Sequence, residues 1–417
     1  MDTITFDNFS PASYATHAEF DIKNVDIAFV NSIRRIILTD IPNVAISFDP
    51  YITENSDIVF KTNTSGLHNE YLGHRISLLP VHLTSEEIEN YDPENPIKFK
   101  INVKNTGFEI LDVTTNDIVI EQRGVKLDTQ RVFPLHPITN DAILITKLKP
   151  NLYSNNIGEE LNVEMTIRMG TAQTHSRWSP VSTCTYFNII NEEAADAAYQ
   201  KALSELPPNS NKESFKNQFD NLDKQRYFYT NKYNEANRFR FIIESECHLS
   251  PYYLFDKAIK ILKEKVNSLV TNDKKYIVNL LNNTVANDDE DNTVANDDED
   301  NGDTDINKIY IVVIENEDHT LGNFLQSMIF NMLHREQKMV DYIGYFKPHP
   351  LQNDIVFKIK LSETNSMFTN IKEMFEYVVP KIIAYIDNIS NIYNNSIPSQ
   401  GEPPKRATGI RKKVVKK

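Results

Sequence analysis

The chain has 417 residues, of which 40% are hydrophobic and 24% are charged, and its formal net charge at pH 7 is −14. A chain of this length is too long to fold around a single hydrophobic core, so two or three domains are expected. The aromatic content excludes a wholly disordered chain. Only 11 glycines occur, without a glycine-rich phosphate-binding motif. The acidic balance gives no electrostatic case for a folded surface that binds nucleic acid broadly.

The sequence also bears on the cellular compartment. The first residues contain neither a basic nor an apolar signal region, and no apolar run approaches the ~20 residues that cross a bilayer, so we expect a soluble protein. Two cysteines, Cys184 and Cys247, are too few for a disulfide framework or a cysteine-only zinc site. A reducing compartment fits this usage best.

A strand followed by an amphipathic helix is predicted near the amino terminus. Alternation from Tyr14 to Ile22 predicts the strand, and Asp26 to Ile37 has the helical spacing of apolar residues. On a helical wheel Arg34 lies at the edge of the apolar stripe and Arg35 points away from it. The stripe consists of Phe29, Val30, Ile33, Ile36 and Ile37.

A separate β domain is predicted between this helix and Trp178. It contains three alternating runs, at Ile97 to Val103, Ala142 to Leu148 and Leu161 to Met169. A polar segment that leads directly into an apolar one, Leu67 to Val81, precedes these runs.

A long helix and an acidic linker follow. Ser250 and Pro251 are a typical N-cap and first-turn pair, and the apolar stripe from Phe255 extends to Leu280. Beyond it the nine residues from Asn283 are repeated without change from Asn292, which indicates a flexible linker. A calcium loop is the alternative, but its twelfth position is Lys308 rather than a bidentate carboxylate.

The region after the linker repeats the order of the first elements. Ile309 to Ile314 is a predicted strand, and a helix with Thr320 as its N-cap follows. A strand and a long final helix come next, and Pro380 is expected to kink or break that helix. Superimposing Asp26 on Asp318 also superimposes Asn31 on Asn323. The chain therefore looks like one fold carried twice, as a fused pseudo-dimer.

These motifs are specific enough to resemble a known family, the alpha-like subunits of cellular RNA polymerases. The helix Asn31 to Leu38 and the segment Asn69 to Pro80 resemble its signatures, and His175 to Pro180 resembles another signature of the third-largest subunit of eukaryotic polymerase II and archaeal D. After the linker, Glu317 to Asn323 and Pro348 to Leu351 look like the small partner, the eleventh subunit or archaeal L.

The resemblance implies an α+β fold with two alpha-like dimerisation domains that form an intramolecular pseudo-dimer, the first interrupted by a β-rich insert. The expected boundaries are 1–47 with 171–281 for the first dimerisation domain, 48–170 for the insert, 282–305 for the linker, 306–396 for the second, smaller dimerisation domain and 397–417 for a basic tail.

The resemblance also implies a non-catalytic assembly subunit that nucleates association of the two large catalytic polymerase subunits, with small subunits as further partners. DNA and RNA are reached only through the complex, and no membrane, obligate homo-oligomer, cofactor, metal or catalytic residue is expected. The implied subunit-interface residues are Asn31, Arg34, Arg35, Glu70, His74, Arg75, Asp318, His319, Thr320, Gly322, Asn323 and His349. The fusion of the two subunits resembles the arrangement in some nucleocytoplasmic large DNA viruses, and the asparagine-rich composition suits such an origin. A viral protein would be located in the virion and the host cytoplasm, and a cellular one in the nucleus.

Other interpretations of the sequence remain open at this stage. The basic tail after Pro404 suits contact with nucleic acid, a localisation signal or a disordered, solubilising terminus. The alternative function is a free-standing nucleic-acid-binding protein that acts through this tail. A cysteine enzyme would use Cys184 or Cys247 with His175 or His248, but no activating context supports it. His68, His74 and His82 lack a convincing ligand set for a metal, and the insert contains no cysteine for the zinc that some third-largest subunits carry.

Overall fold

The computed structural model describes residues 3–10, 16–52, 54, 56–150, 158–207, 211–246, 249–271, 276–281, 309–362 and 367–397. The duplicated acidic segment, the basic tail from residue 398, Cys247 and His248 lie outside the described residues. The predictions made for them are therefore not addressed by the structure.

The described residues contain both strands and helices, which confirms the predicted α+β class. In chain order the strands are β1 (Thr5–Asp7), β2 (His17–Lys23), β3 (Asn43–Ala45), β4 (Ile58–Asn63), β5 (Lys98–Lys104), β6 (Leu111–Thr114), β7 (Ile118–Gln122), β8 (Val125–Leu127), β9 (Leu144–Leu148), β10 (Glu160–Thr166), β11 (Arg168–Gly170), β12 (Val181–Asn188), β13 (Arg238–Ser245), β14 (Tyr276–Leu281), β15 (Ile309–Ile314), β16 (Val340–Phe346) and β17 (Ile355–Leu361). The α-helices are α1 (Ile27–Thr39), α2 (Asn69–Ser77), α3 (Ser85–Glu89), α4 (Thr129–Val132), α5 (Glu192–Ser204), α6 (Lys212–Gln218), α7 (Pro251–Asn267), α8 (His319–Ile329) and α9 (Ile371–Ser396).

The first sheet is antiparallel and has the strand order β1-β2-β13-β12. Helices α1 and α7 cover one of its faces, because both carry a broad apolar stripe that has to be buried. The ring of Phe255 on α7 packs edge-on against Phe20 of β2 and Phe241 of β13, with centroid separations of 5.1 and 5.4 Å. This sheet and its two helices are called the first half below.

The second sheet repeats this architecture. Its order is β14-β15-β17-β16, so in both sheets the strands, numbered along the chain, lie in the order first, second, fourth, third. In both, one helix follows the second strand and a longer helix follows the fourth. The second sheet with α8 and α9 is called the second half, and the predicted duplication of one fold is confirmed.

The insert between β3 and β11 is built mainly from strands. Its five-stranded sheet has the order β4-β10-β5-β7-β8, and β6 pairs with β9 beside it. The predicted run from Leu161 to Met169 is divided, because β10 ends at Thr166 and β11 pairs instead with β3. The short β3 and β11 pair thus joins the insert to the first half.

The predicted C-terminal end of the long helix that begins after Ser250 is wrong. Helix α7 ends at Asn267, and Tyr276–Leu281 forms β14, which pairs with β15. The neighbouring residues Ile277 and Val278 are both β-branched, which favours a strand over a further helical turn. Residues 282–308 therefore connect two adjacent antiparallel strands of the second sheet, with Leu281 directly opposite Ile309.

Proline at position 380 does not break the last helix. Helix α9 is assigned as one helix from Ile371 to Ser396 and includes Pro380. Val378, Val379 and Ile382 are buried around the proline, and this packing offsets the loss of one backbone hydrogen bond. None of the helices within the described ranges combines the length and apolar character of a membrane span.

Deleting the first repeat, Asn283 to Asp291, should leave stability almost unchanged. The connection between β14 and β15 shortens from about 27 to about 18 residues, which lowers the loop-closure cost by about 0.4 kcal/mol. Urea unfolding of the deletion variant should give a free energy within about 0.5 kcal/mol of the wild type. A loss of several kcal/mol would contradict the placement of this segment as a simple connection.

Candidate subunit interface

Four helices bring the two halves together. Helix α1 contacts α8, and α7 contacts α9. The ring of Phe29 lies 6.3 Å from that of Phe324, and the fully buried Tyr393 on α9 packs against Phe255 and Phe6 at 4.6 and 5.2 Å. The Tyr393 hydroxyl donates to the carbonyl of Tyr252 at 3.2 Å. The centre of the interface is therefore apolar, with its buried hydroxyl paired.

Asp26, the N-cap of α1, also contacts the other half. Its Oδ1 accepts a hydrogen bond from the backbone N–H of Ala28 at 2.6 Å, which satisfies one free donor of the helix start. Its Oδ2 accepts from Ser327 Oγ at 2.8 Å and from Asn331 Nδ2 at 2.9 Å. One carboxylate therefore caps its own helix and binds the helical segment opposite.

Asp318 has the same two roles at the start of α8. Its Oδ1 accepts from the N–H of Thr320 at 2.8 Å, and its Oδ2 accepts from Arg35 Nη2 at 2.7 Å. The predicted N-cap Thr320 is wrong by two residues, because the Thr320 hydroxyl is engaged elsewhere: its Oγ1 accepts from Arg35 Nε at 2.8 Å. The Thr320 carbonyl accepts from Ser32 Oγ at 3.0 Å.

The two sites are related by a pseudo-two-fold axis. Arg35 lies nine residues after Asp26, and Ser327 lies nine residues after Asp318. Each therefore donates to the N-cap carboxylate of the opposite helix, as expected for a self-complementary contact between two copies of one fold. Arg35, placed on the side away from the stripe by the helical wheel, thus contacts α8 within the same chain.

Ion pairs surround the apolar centre. Lys265 Nζ lies 2.9 Å from Asp40 Oδ2 and 3.3 Å from Glu317 Oε2, and so links the two halves. Arg335 binds both carboxylate oxygens of Glu235, at 3.0 and 2.7 Å. Bidentate guanidinium pairs fix orientation as well as adding energy, so the Arg335–Glu235 pair contributes to the alignment of the halves.

The environment of Asp318 keeps its carboxylate charged. Burial acts to raise the pKa of Asp318, but hydrogen bonds from Thr320 and from the Arg35 guanidinium outweigh it, and the pKa lies below its usual value. A carboxyl whose pKa is lowered by folding stabilises the folded state above the unfolded pKa of about 4. That stabilisation is lost as the pH falls through the folded-state pKa.

The remaining predicted residues of α8 differ in role. A Cβ on Gly322 would lie 2.6 Å from the ring of Tyr345, so only glycine allows the helix to approach β16 this closely. His319 is exposed, and its Nδ1 lies 3.3 Å from the Tyr345 hydroxyl. Asn323 is half-buried. Gly322 is therefore a packing residue of the second half.

Asn31 and Arg34 form a unit on the other side of α1. The Nε and Nη2 of Arg34 donate to Asn31 Oδ1 at 3.2 and 3.0 Å. Arg34 lies near β12, where its charge acts to lower the pKa of Cys184, although burial dominates and raises that pKa to about 12. The buried Cys184 is thus protonated at neutral pH, which argues against a cysteine nucleophile at this position.

The predicted residues of α2 lie on the insert. Glu70, His74 and Arg75 are all exposed, and Arg75 also donates to the carbonyls of Leu144 at 3.0 Å and Ile145 at 3.3 Å. Arg75 therefore ties α2 to β9.

The last predicted residue, His349, lies on a connection of the second half. It is exposed between β16 and β17, where its Nδ1 accepts from the backbone N–H of Leu351 at 3.1 Å. The predicted residues do not form one site but are distributed over both halves and the insert.

The segment His175 to Pro180 fastens the insert to the first half, a role that the sequence did not reveal. Trp178 Nε1 donates to the carbonyl of Arg168 at 3.2 Å, and Arg177 donates to the carbonyls of Ile46 and Phe48 at 3.4 and 3.0 Å.

Other contact residues were also missed by sequence reasoning, namely Asp26, Ser327, Asn331, Lys265, Glu235 and Arg335. The superposition of Asp26 on Asp318 was the available signal for the first of these. Across the described part of the chain, no three His, Cys, Asp or Glu side chains are grouped as metal ligands.

Two family models match the two halves. The model for the RNA polymerase Rpb3/Rpb11 dimerisation domain matches residues 19–266, and a second model with the same description matches residues 310–391. The chain belongs to the Rpb3/Rpb11 dimerisation-domain family, and it contains two domains of this type. The resemblance of each half to this family is thereby confirmed.

Several curated proteins are similar to parts of this chain, two of them over more than half of its length. DNA-directed RNA polymerases I and III subunit RPAC1 of Saccharomyces cerevisiae is 26% identical over 297 residues, covering 61% of this chain and 84% of the relative. DNA-directed RNA polymerases IV and V subunit 3B of Arabidopsis thaliana is 25% identical over 338 residues, covering 70% and 97%. DNA-directed RNA polymerase subunit Rpo3 of Methanobrevibacter smithii is 27% identical over 202 residues, covering 44% and 62%.

Replacing Asp318 with asparagine should make stability less dependent on pH in the acid range. Asparagine still caps the helix but removes the charge that Arg35 binds, so we expect a loss of about 1 kcal/mol at pH 7. The difference from the wild type should shrink as the pH falls below about 4, because the carboxyl of the unfolded wild type is protonated first and that of the folded wild type only at lower pH. Urea unfolding at several pH values measures this.

The exposed Asp341 on β16 provides the matched control for removing one negative charge. Asp341→Asn should change stability by less than about 0.5 kcal/mol. A difference between wild type and Asp318→Asn that stays constant from pH 7 to pH 3 would show that the charge of Asp318 is not what matters.

Proposed function

We propose that the protein is a non-catalytic assembly-platform subunit of a multisubunit DNA-dependent RNA polymerase. In this role it nucleates the association of the two large catalytic subunits, with smaller polymerase subunits as further partners. The observation that carries the proposal is the presence of two dimerisation folds, joined within one chain by reciprocal helix caps. The polymerase-subunit names of the relatives support it.

One chain then takes the place of two separate subunits. The faces of α1 and α8 that two separate proteins would use to dimerise are already in contact, so no obligate homo-oligomer is needed. We retain the insert as residues 48–170 and place the start of the second half at β14 rather than after the linker, because β14 pairs with β15.

An origin in a large DNA virus, with the protein in the virion and host cytoplasm, is part of the proposal; a cellular protein would act in the nucleus.

The contacts within the chain let us narrow the proposed set of residues that contact other subunits. Arg35, Asp318 and Thr320 bind one another across the two halves. Gly322 and Arg75 have packing and anchoring roles. We therefore assign contacts with other subunits to Arg34, which Asn31 orients, and to the half-buried Asn323. The exposed side chains of Glu70, His74, His319 and His349 belong to the same proposed set.

Arg34→Glu should weaken capture of the large subunits without unfolding the protein. The guanidinium offers five donors in a fixed fork, and its replacement by a carboxylate reverses the charge presented beside β12. With the tagged chain purified from its source, we expect at least tenfold less of the two largest polymerase subunits per folded molecule. Circular dichroism melting of the isolated variant should match the wild type within a few degrees.

Gln326 is the matched control, because it occupies the position on α8 equivalent to Arg34 on α1. Gln326→Glu retains the side-chain oxygen that accepts from the N–H of Tyr345 at 3.2 Å, and should capture the large subunits normally. If both variants capture equal amounts of the large subunits, Arg34 does not belong to the contact surface. A wild-type chain that captures no large polymerase subunit would overturn the proposed function itself.

A further inference from the structure

Strand β12 lies at the edge of the first sheet, because the strand order is β1-β2-β13-β12. Its eight residues, Val-Ser-Thr-Cys-Thr-Tyr-Phe-Asn, include no charged residue, glycine or proline. Edge strands of soluble proteins usually carry charges, prolines or bulges that prevent pairing with another chain. The irregularity in the pairing of β12 with β13 is confined to its start, between Val181 and Thr183. From Thr183 to Asn188 the edge is therefore regular and has no such protection in its own sequence.

The backbone pairing indicates which groups of β12 point away from β13. The N–H of Ile189 donates to the carbonyl of Arg238 on β13 at 3.0 Å. Because backbone groups alternate in direction along a strand, those of Phe187 also point towards β13, and those of Tyr186 point away from it. Among the described residues, none outside β13 accepts a hydrogen bond from the N–H of Tyr186.

The pseudo-symmetry identifies the equivalent position in the second sheet. Asp21 on β2 and Val313 on β15 each lie five residues before an N-cap aspartate, so they are counterparts. The row of paired residues through Asp21 ends one residue after Tyr186 on β12. The row through Val313 ends one residue after Tyr345 on β16. Tyr186 and Tyr345 are therefore counterparts on the two edge strands.

A side chain closes this edge position in the second half but not in the first. The N–H of Tyr345 donates to Gln326 Oε1 at 3.2 Å. Arg34 occupies the position on α1 equivalent to Gln326 on α8. A guanidinium group has only donors, so Arg34 cannot accept from the N–H of Tyr186 as Gln326 does from its counterpart. The edge of β12 is thus left with an outward-pointing donor.

The guanidinium group of Arg34 lies beside this open position. Asn31 orients it, as described above. Burial raises the pKa of Cys184 and of Tyr186, and the charge of Arg34 acts against it, which places the guanidinium close to both side chains. Arg34 forms no ion pair within the part of the chain that the structure describes. A partner at this edge therefore meets a cation that still lacks a carboxylate.

We propose that an extended segment of another polymerase subunit adds to the first sheet as a fifth strand beside β12 and carries an Asp or Glu that binds Arg34. This inference rests on the proposed function and names the chemistry of one partner segment. A backbone carbonyl of the segment accepts from the N–H of Tyr186, the usual mode of β-strand addition. The exposed Thr185 and Phe187 favour β-branched or aromatic residues opposite them. The carboxylate lies on the other face of the added strand, where Arg34 binds it through charge-assisted hydrogen bonds.

Other segments of this chain, or a second copy of it, fit the edge less well. Residues 288–305 consist mainly of Asp, Asn and Glu, which are depleted in strands. The basic residues 405–417 would be repelled by Arg34. Two copies paired through β12 about a two-fold axis would bring both Arg34 side chains to the same face of one continuous sheet, which is repulsive.

The test uses the polymerase complex purified from its source through the tagged full-length chain. A photo-crosslinking amino acid in place of the exposed Thr185 should cross-link to a segment of another subunit that alternates in the strand pattern and contains Asp or Glu. In amide hydrogen exchange, the N–H of Tyr186 should exchange at least tenfold more slowly in the complex than in the isolated chain. The N–H of Tyr345 is the matched control, because Gln326 already binds it, and should exchange at the same rate in both.

A charge exchange tests the role of Arg34. Replacing the Asp or Glu of the cross-linked segment with Arg should lower recovery of that subunit at least tenfold, as measured by quantitative mass spectrometry. Combining this change with Arg34→Glu should restore at least half of the wild-type recovery, because the ion pair forms again with its charges reversed.

Several outcomes within an intact complex would overturn this inference alone. These are a cross-link to residues 288–305, to a basic segment or to a second copy of the chain, and the absence of any cross-link. Unchanged exchange at Tyr186, equal slowing at Tyr345, or no recovery from the charge exchange would also overturn it. If the wild-type chain fails to recover the large subunits, the proposed function itself is refuted.

Discussion

The two N-cap aspartates couple helix formation to assembly of the halves. A helix start leaves backbone N–H groups without partners, and Asp26 and Asp318 each satisfy one of them with a single carboxylate oxygen. The second oxygen of each accepts from the opposite half, from Ser327 and Arg35 respectively. Neither contact is complete until α1 and α8 have come together, so local structure and the interface depend on the same two side chains.

The two halves share this arrangement of caps but differ elsewhere. Arg35 is a charged donor to one cap, whereas its counterpart Ser327 is a neutral donor to the other. Within the described residues, the insert interrupts only the first half. A single chain can maintain such differences because the two halves always meet each other, which two copies of one subunit cannot ensure.

Much of the fold could be predicted because its signals are periodic and occur twice. The stripes of α1, α8 and α9 and the match of Asp26 with Asp318 needed no tertiary information. The end of α7 was misjudged because Ile277 continues a helical stripe while pairing with Val313 across the sheet. Helices α5 and α6 bury little and so gave a weak pattern. The role of Arg35 depends on a partner 283 residues away, which no local pattern encodes.

A double-mutant cycle on Arg35 and Asp318 tests the central claim, that reciprocal capping joins the two halves, most directly. Arg35→Met, Asp318→Asn and the double variant would be compared with the wild type by urea unfolding of the full chain at pH 7. The two residues should be coupled by about 1 kcal/mol, since the charge-assisted hydrogen bond exists only when both are present. Additive effects within about 0.3 kcal/mol would contradict the account.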